Sequence, residues 1–137
     1  MISPIFGTVV SNDIEGLRRL LLDQPDLVSA RNDCEWTPLH QACGSSRLEI
    51  AQLLLESGAD ANALGRAAET PLHLADSIQM VRLLLLHGAD PRKADRNGMT
   101  PISFAEAEKN STLAGLLREA ISQLELLEAP RQSVSPN

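Results

Sequence analysis

The chain has 137 residues, of which 43% are hydrophobic but only 2% aromatic, and its formal net charge at pH 7 is −6. This length and composition suit one domain with an aliphatic core. The negative charge argues against nucleic acid as the main partner, because phosphate binding needs a basic surface. Neither a membrane-spanning apolar run of about 18 residues nor a signal-peptide pattern is found. With Cys34 and Cys43 as its only cysteines, we expect free thiols and a cytoplasmic protein, or a nuclear one in a eukaryote.

The first predicted element begins at Ser3-Pro4-Ile5-Phe6 and leads into residues 13–22, whose apolar spacing is that of an amphipathic helix. Two clear copies of one phrase follow, TPLHQA at 37–42 and TPLHLA at 70–75, offset by 70 − 37 = 33 residues. Each copy precedes a leucine-rich stretch that ends in Gly-Ala-Asp. A fixed period of this size predicts stacked units, because one such unit cannot bury its apolar face alone.

The TPLHxA phrase at this period resembles the ankyrin repeat. The resemblance implies an all-α solenoid of about four helix-turn-helix units joined by hairpin-like finger loops. We place one domain over residues 1–128, with units at 3–36, 37–69, 70–99 and 100–128. Residues 129–137 contain two prolines and little to bury, so we expect a disordered tail there.

Eight residues of the repeated pattern are predicted to be structural. Each threonine can cap a helix whose first residue is the following proline, and each glycine sits where a helix should end in a left-handed conformation. The resemblance implies that each histidine bonds the threonine hydroxyl and nearby backbone and ties units together. These residues are Thr37, Pro38, His40, Gly58, Thr70, Pro71, His73 and Gly88.

The third and fourth units depart from the pattern. Thr37 to Gly58 is 21 residues but Thr70 to Gly88 is 18, so three residues are lost, and we place the loss at the end of the first helix and its turn. This shortening is either neutral length drift or a notch in the concave wall that accommodates a partner. The fourth unit has Ser103 in place of histidine and no Gly-Ala-Asp, and its apolar spacing continues to Leu127, which predicts a capping helix.

No pattern of catalytic or metal-binding residues is present. The sequence lacks a glycine-rich phosphate loop, a GxSxG turn and an HExxH helix. Zinc binding by Cys34, Cys43, His40 and His73 is disfavoured, because the histidines are 33 residues apart and no CxxC pair exists. We therefore predict no enzyme activity, no metal and no cofactor.

The resemblance implies a protein partner that meets the finger tips and the inner face of the first helices. Trp36, the only tryptophan, is either a binding hot spot or packed against its own finger and the next proline. The family usually has a turn glycine two residues before the threonine, and Gly98 fits that pattern. Glu35 and Ala68 stand there in the first two fingers, so the conformation of those two tips does not follow from the resemblance. The predicted finger residues are Asp33, Cys34, Trp36, Arg66, Ala67, Glu69, Arg96, Asn97 and Met99, joined by Gly44, Ser45, Ala107 and Glu108 of the inner helices.

Three functional hypotheses follow. The first is a monomeric, non-enzymatic interaction module, which would be an adaptor, scaffold or inhibitor, with a host-directed bacterial effector as its biological variant. The second is a regulatory subunit of a larger enzyme, and the third is an enzyme whose site matches no known motif. Binding to neither nucleic acid nor membrane is expected under the first hypothesis.

Overall fold

The computed structural model describes residues 3–128. It is all-α, as the sequence predicted, and no strand lies within the described residues. The α-helices are α1 (Pro4–Val10), α2 (Ile14–Asp23), α3 (Pro38–Gly44), α4 (Leu48–Glu56), α5 (Pro71–Leu74), α6 (Ile78–Leu86), α7 (Pro101–Ala107) and α8 (Ser111–Glu128), and a 3₁₀ helix covers Pro25–Ser29. The expected tail at 129–137 lies outside the described residues.

The helices stack in two parallel rows. α1, α3, α5 and α7 contact one another in turn to form an inner row, and α2, α4, α6 and α8 form an outer row in the same way. Each inner helix also packs against the outer helix that follows it in the chain. The layer between the rows is aliphatic, as composition requires, and its largest fully buried side chains are Ile5, Leu17, Leu39, Ile50, Leu54, Leu72, Met80, Leu84 and Leu117.

Three inner helices begin at a Thr-Pro pair. Thr37, Thr70 and Thr100 are the residues before α3, α5 and α7, and each has an extended backbone with proline following at the first helical position. Proline is tolerated there because its missing N–H has no partner within the helix, and its fixed φ is already helical. The Thr37 Oγ1 accepts from His40 N at 3.3 Å, and the Thr100 Oγ1 accepts from Ser103 N at 3.2 Å.

Residues with positive φ recur at equivalent turns. Gly58 and Gly88 follow α4 and α6 with φ of +99° and +88°, a left-handed conformation that glycine adopts without the cost of a Cβ. The turns between paired helices use non-glycine residues, namely Asn12, Ser46 and Lys109, all near +58°. The finger tips use Glu35, Ala68 and Gly98, so the two tips that lack glycine adopt the same turn with φ of 58° and 61°.

The three-residue loss falls where the sequence placed it. α5 has four residues, whereas α3 and α7 each have seven. The chain leaves α5 through Ala75 in an extended conformation, and Ser77 then caps α6 by accepting from Met80 N. The inner row is therefore indented at its third helix.

α8 has 18 residues, whereas the outer helices α2, α4 and α6 have 10, 9 and 9. Its first half buries Leu113, Ala114 and Leu117, and Arg118 forms an ion pair with Glu106 of α7. Its second half lines a groove with Leu85 and Gly88, and Leu127 at the end of that half is 82% exposed. The Arg92 guanidinium holds this end by donating to both carboxylate oxygens of Glu128, at 2.7 and 2.9 Å. Over the described part of the chain, no helix is both long enough and apolar enough to cross a membrane.

Candidate protein-interaction surface

The loops between successive helix pairs form three short fingers, Asn32–Trp36, Gly65–Glu69 and Asp95–Met99. Each finger is closed by a backbone bond from its first residue to the carbonyl of its last, at 3.0, 2.8 and 2.9 Å respectively. A second backbone bond, from the positive-φ residue back to the first carbonyl, tightens each tip. The tips are therefore defined turns rather than open loops.

Side chains brace two of the fingers in the same way. The Asn32 Oδ1 accepts from the backbone N–H groups of Cys34 and Trp36, and the Asp95 Oδ1 accepts from those of Asn97 and Met99. The second finger has Gly65 at this position and has no such side chain. There the Glu69 Oε1 accepts from Ala67 N instead, at 3.2 Å.

Neighbouring fingers are bonded to each other. Arg66 N donates to the Cys34 carbonyl at 3.0 Å, and Arg96 N donates to the Ala67 carbonyl at 2.8 Å. The Arg31 guanidinium adds a bridge from the first finger by donating to the carbonyls of Glu35 and Leu64. These bonds fix the three tips in one row.

The motif histidines join each helix pair to the finger that follows it. Thr37 N donates to His40 Nδ1 at 3.1 Å, so Nδ1 is an acceptor, and His40 Nε2 carries the proton that it donates to the Glu69 carbonyl at 2.9 Å. His73 repeats the arrangement with Thr70 N and the Met99 carbonyl. Each histidine thus bonds both the backbone of its threonine and the carbonyl of the last residue of the next finger. Burial lowers the pKa of His40 below its ordinary value of 6.5, against the opposing effect of the Glu69 carbonyl.

Trp36 lies between the first two fingers. Its ring stacks on His40 with a centroid separation of 6.3 Å and an interplanar angle of 8°. A Cβ added to Gly65 would overlap Glu69 Oε1 and lie 2.8 Å from Trp36 Cδ1, so a side chain at this position would have to displace both neighbours. Trp36 is thus partly buried between His40 and the second finger.

The predicted finger residues divide by exposure. Asp33, Cys34, Arg66, Arg96 and Asn97 are exposed at the tips, whereas Trp36, Ala67, Glu69 and Met99 are partly buried at the finger bases or between fingers. On the inner row, Gly44, Ala107 and Glu108 are exposed and Ser45 is partly so.

The backbone bonds that close the three fingers define which of their residues are equivalent. The equivalent positions are Asp33, Arg66 and Arg96, while Trp36 corresponds to Glu69 and Met99. Trp36 therefore does not belong in line with the two arginines, because it lies three positions further along its finger.

Asn32, Gly65 and Asp95 were not singled out from the sequence, although they occupy one position of the repeat, five residues before each threonine. Asn and Asp side chains commonly bond the backbone two residues ahead, so the pattern was available as a signal. No sequence pattern indicates the bridging role of Arg31, because the Leu64 carbonyl to which it donates is 33 residues away.

The two cysteines lie in different environments. Cys34 is exposed at the first tip, and Cys43 is buried in the core, where burial raises the pKa of its thiol. Within residues 3–128, no group of three or more His, Cys, Asp or Glu side chains is arranged to hold a metal ion.

Paired helices in two rows, Thr-Pro starts and bonded fingers define a helical-repeat protein. The model of the family described as "Ankyrin repeats (3 copies)" matches residues 5–95, which is more than half of the chain. The chain belongs to the ankyrin-repeat family, as the sequence predicted, and ankyrin repeats are protein–protein interaction modules.

Curated relatives share the repeats over part of the chain. The serine/threonine-protein kinase VIK of Arabidopsis thaliana is 44% identical over 61 residues, which are 44% of this chain and 14% of the kinase. Ankyrin repeat domain-containing protein 49 of Homo sapiens is 42% identical over 53 residues, which are 39% of this chain and 22% of that protein. Protein phosphatase 1 regulatory subunit 27 of Homo sapiens is 31% identical over 75 residues, which are 55% of this chain and 48% of that protein. The matched segment thus spans less than half of each of these relatives.

Proposed function

We propose that this chain is a non-enzymatic interaction module, acting as an adaptor, scaffold or inhibitor. It would bind a protein partner through the finger tips and the exposed surface of the inner helices. The division into four units, with α7 and α8 as the fourth and closing unit, is part of this proposal, since the family match ends at residue 95.

The observation that carries the proposal is the bonded row of tips. A surface that is already ordered loses little conformational entropy on binding, which favours affinity. The row presents exposed Arg66 and Arg96 at equivalent positions of adjacent fingers, and arginine is among the residue types most often found at binding hot spots. Asp33 gives the first tip the opposite charge, so the row is polarised along its length.

A second function, regulation of a partner enzyme, is supported by one relative. That relative is named as a regulatory subunit of protein phosphatase 1, and its match covers 55% of this chain. The two functions share one surface and differ in whether the captured partner is an enzyme whose rate changes on binding.

The test is affinity capture from the native source, followed by binding measurements with variants. Arg66→Ala combined with Arg96→Ala should weaken binding to the captured partner by at least about tenfold and leave the thermal midpoint nearly unchanged. The matched control is Arg19→Ala with Arg82→Ala, which removes two exposed arginines from the outer row. Equal weakening by both pairs would mean that net charge alone drives binding, and no weakening by the finger pair would reject the tips as the interface.

A further inference from the structure

The indentation at α5 contains a small cleft. α3 continues to Gly44 and α7 to Ala107 on either side, but α5 stops at Leu74, which leaves out about one helical turn, or roughly 5 Å. The cleft has a volume of about 60 Å³ and lies between α5, the start of α6, α7 and the first half of α8. This is far below the roughly 300 Å³ at which small-molecule pockets begin, so the cleft has room for part of one side chain.

Apolar side chains form most of the lining. Leu72, Val81, Leu113 and Leu117 belong to the buried layer beneath, while Leu74 and Phe104 are partly exposed at the opening. The Phe104 ring is held in an edge-to-face contact with His73, with centroids 5.8 Å apart.

Leu74 and Phe104 occupy the same position of the repeat, four residues after the threonine. The preceding unit has the polar residue Gln41 at that position. The inner row is thus more apolar at the indentation than before it.

Two exposed carboxylates complete the lining. Asp76 follows α5, and its Oδ1 accepts from Ser46 Oγ at 3.2 Å, while Glu108 is the residue at which α7 ends. The ion pairs among the described residues involve Glu15, Asp90, Glu106 and Glu128, so neither cleft carboxylate is paired with a cation there. Lys109 lies in the groove on the other side of α7, with Glu106 and Arg118.

An apolar wall beneath unpaired carboxylates matches the chemistry of an arginine side chain. The aliphatic stem of arginine packs on apolar surface while the guanidinium stays at the rim. There the guanidinium can form charge-assisted hydrogen bonds with carboxylates and can lie over an aromatic ring such as Phe104. A lysine offers a point charge without the planar fork, so it fits the pair of carboxylates less well.

We propose that this cleft, which we call the α5 socket, receives one arginine side chain from the protein partner. The proposal rests on the proposed interaction function and specifies its chemistry, because it requires the partner segment over the inner row to carry arginine. The three-residue shortening would then be the feature that creates the socket, rather than neutral length drift.

The test uses isotope-labelled full-length chain and two small probes at low salt. N-acetyl-arginine amide is titrated while backbone amide shifts are recorded, and N-acetyl-citrulline amide, of the same shape without the charge, is the matched probe. The socket predicts saturable shifts at residues 74–77 and 104–108 with the arginine probe, and binding weaker by at least about fivefold with the citrulline probe. Asp76→Asn with Glu108→Gln should reduce arginine binding to a similar degree, while Asp23→Asn with Glu125→Gln, two exposed carboxylates elsewhere, should not.

Three results would overturn the socket: no shifts at these residues, equal binding of the two probes, or equal effects of the two double variants. The amide spectrum of each variant shows directly whether it remains folded, and both changes in the socket variant preserve side-chain shape. The outcome is separate from that of the proposed function. If the finger variants abolish partner binding while the arginine probe leaves the cleft unaffected, the interaction function stands and the socket fails.

Discussion

At the residue scale, each motif histidine performs two tasks with one ring. His40 accepts from Thr37 N at its Nδ1 and donates from Nε2 to the carbonyl of Glu69, 29 residues along the chain. The first bond is local and follows from the repeated phrase. The second depends on how one unit sits against the next, which no single unit specifies. The serine at position 103 fits this view, because no further finger follows α7 within the described residues.

The His40 ring should titrate below pH 6.5. Burial disfavours the charged imidazolium, and a proton added at Nδ1 would face the Thr37 N–H. Because the folded pKa lies below the unfolded value, the stability that His40 contributes is fully present above pH 6.5. It is lost as the pH falls through the folded pKa.

The measurement is an NMR titration of the ring carbons, with urea unfolding at pH 7.5 and 5.5 on the same protein. N-acetyl-histidine amide under identical conditions gives the reference titration. A His40 pKa at or above that of the reference would contradict the hydrogen-bond assignment at Nδ1.

Two finger tips carry strain that glycine would relieve. Glu35 and Ala68 have φ of 58° and 61°, where a side chain crowds the backbone, and Gly98 occupies the equivalent position without that cost. Glu35→Gly and Ala68→Gly should each raise the free energy of unfolding by about 0.5–1 kcal/mol, after allowing for the greater freedom of glycine in the unfolded chain.

Chemical denaturation of the three single variants tests this, with Gly98→Ala as the reverse change, expected to destabilise by a similar amount. If both glycine variants were less stable than the parent, the turn assigned to these two tips would be wrong.

At the element scale, α8 packs on both α6 and α7. The fold predicted from the sequence includes this helix because the apolar spacing continues to Leu127. The tether of its far end was not predicted, since Arg92 and Glu128 are 36 residues apart and neither belongs to a motif. The length of α5, by contrast, followed from counting residues between Thr70 and Gly88.

The end of α8 should loosen in acid. Hydrogen bonds from the Arg92 guanidinium lower the pKa of Asp90 below its ordinary 3.8 and that of Glu128 below its ordinary 4.5. For carboxylates with lowered pKa, the contribution to stability is complete above about pH 4.5 and is lost as the pH falls through the folded values. The protection of the backbone amides of residues 120–128, measured relative to their intrinsic exchange rates, should therefore fall between pH 5 and pH 3.

Arg92→Gln is the matched control, because it removes the guanidinium and keeps a polar side chain. In that variant the same amides should already be less protected at pH 6, and their protection should change little in acid. Equal protection in the parent and in Arg92→Gln at pH 6 would show that the ion pair does not hold the helix end.

At the scale of the whole molecule, the fold was predictable because the same phrase occurs twice at a fixed period. The candidate surface was only partly predictable. The exposure of Arg66 and Arg96 followed from aligning the repeats on their Thr-Pro pairs. The partial burial of Trp36 did not, because it depends on a contact with Gly65 of the next finger. The two unpaired carboxylates of the α5 socket likewise come from different units and are brought together only by stacking.

The central claim, that the finger tips and the inner row bind a protein, is tested most directly by hydrogen exchange on the complex with the captured partner. Binding at this surface should slow exchange at residues 32–36, 65–69 and 95–99 and along the exposed parts of α3, α5 and α7. Exchange in α2, α4 and α6 should stay as it is in the free chain. Protection confined to the outer row, with the tips unchanged, would contradict the account.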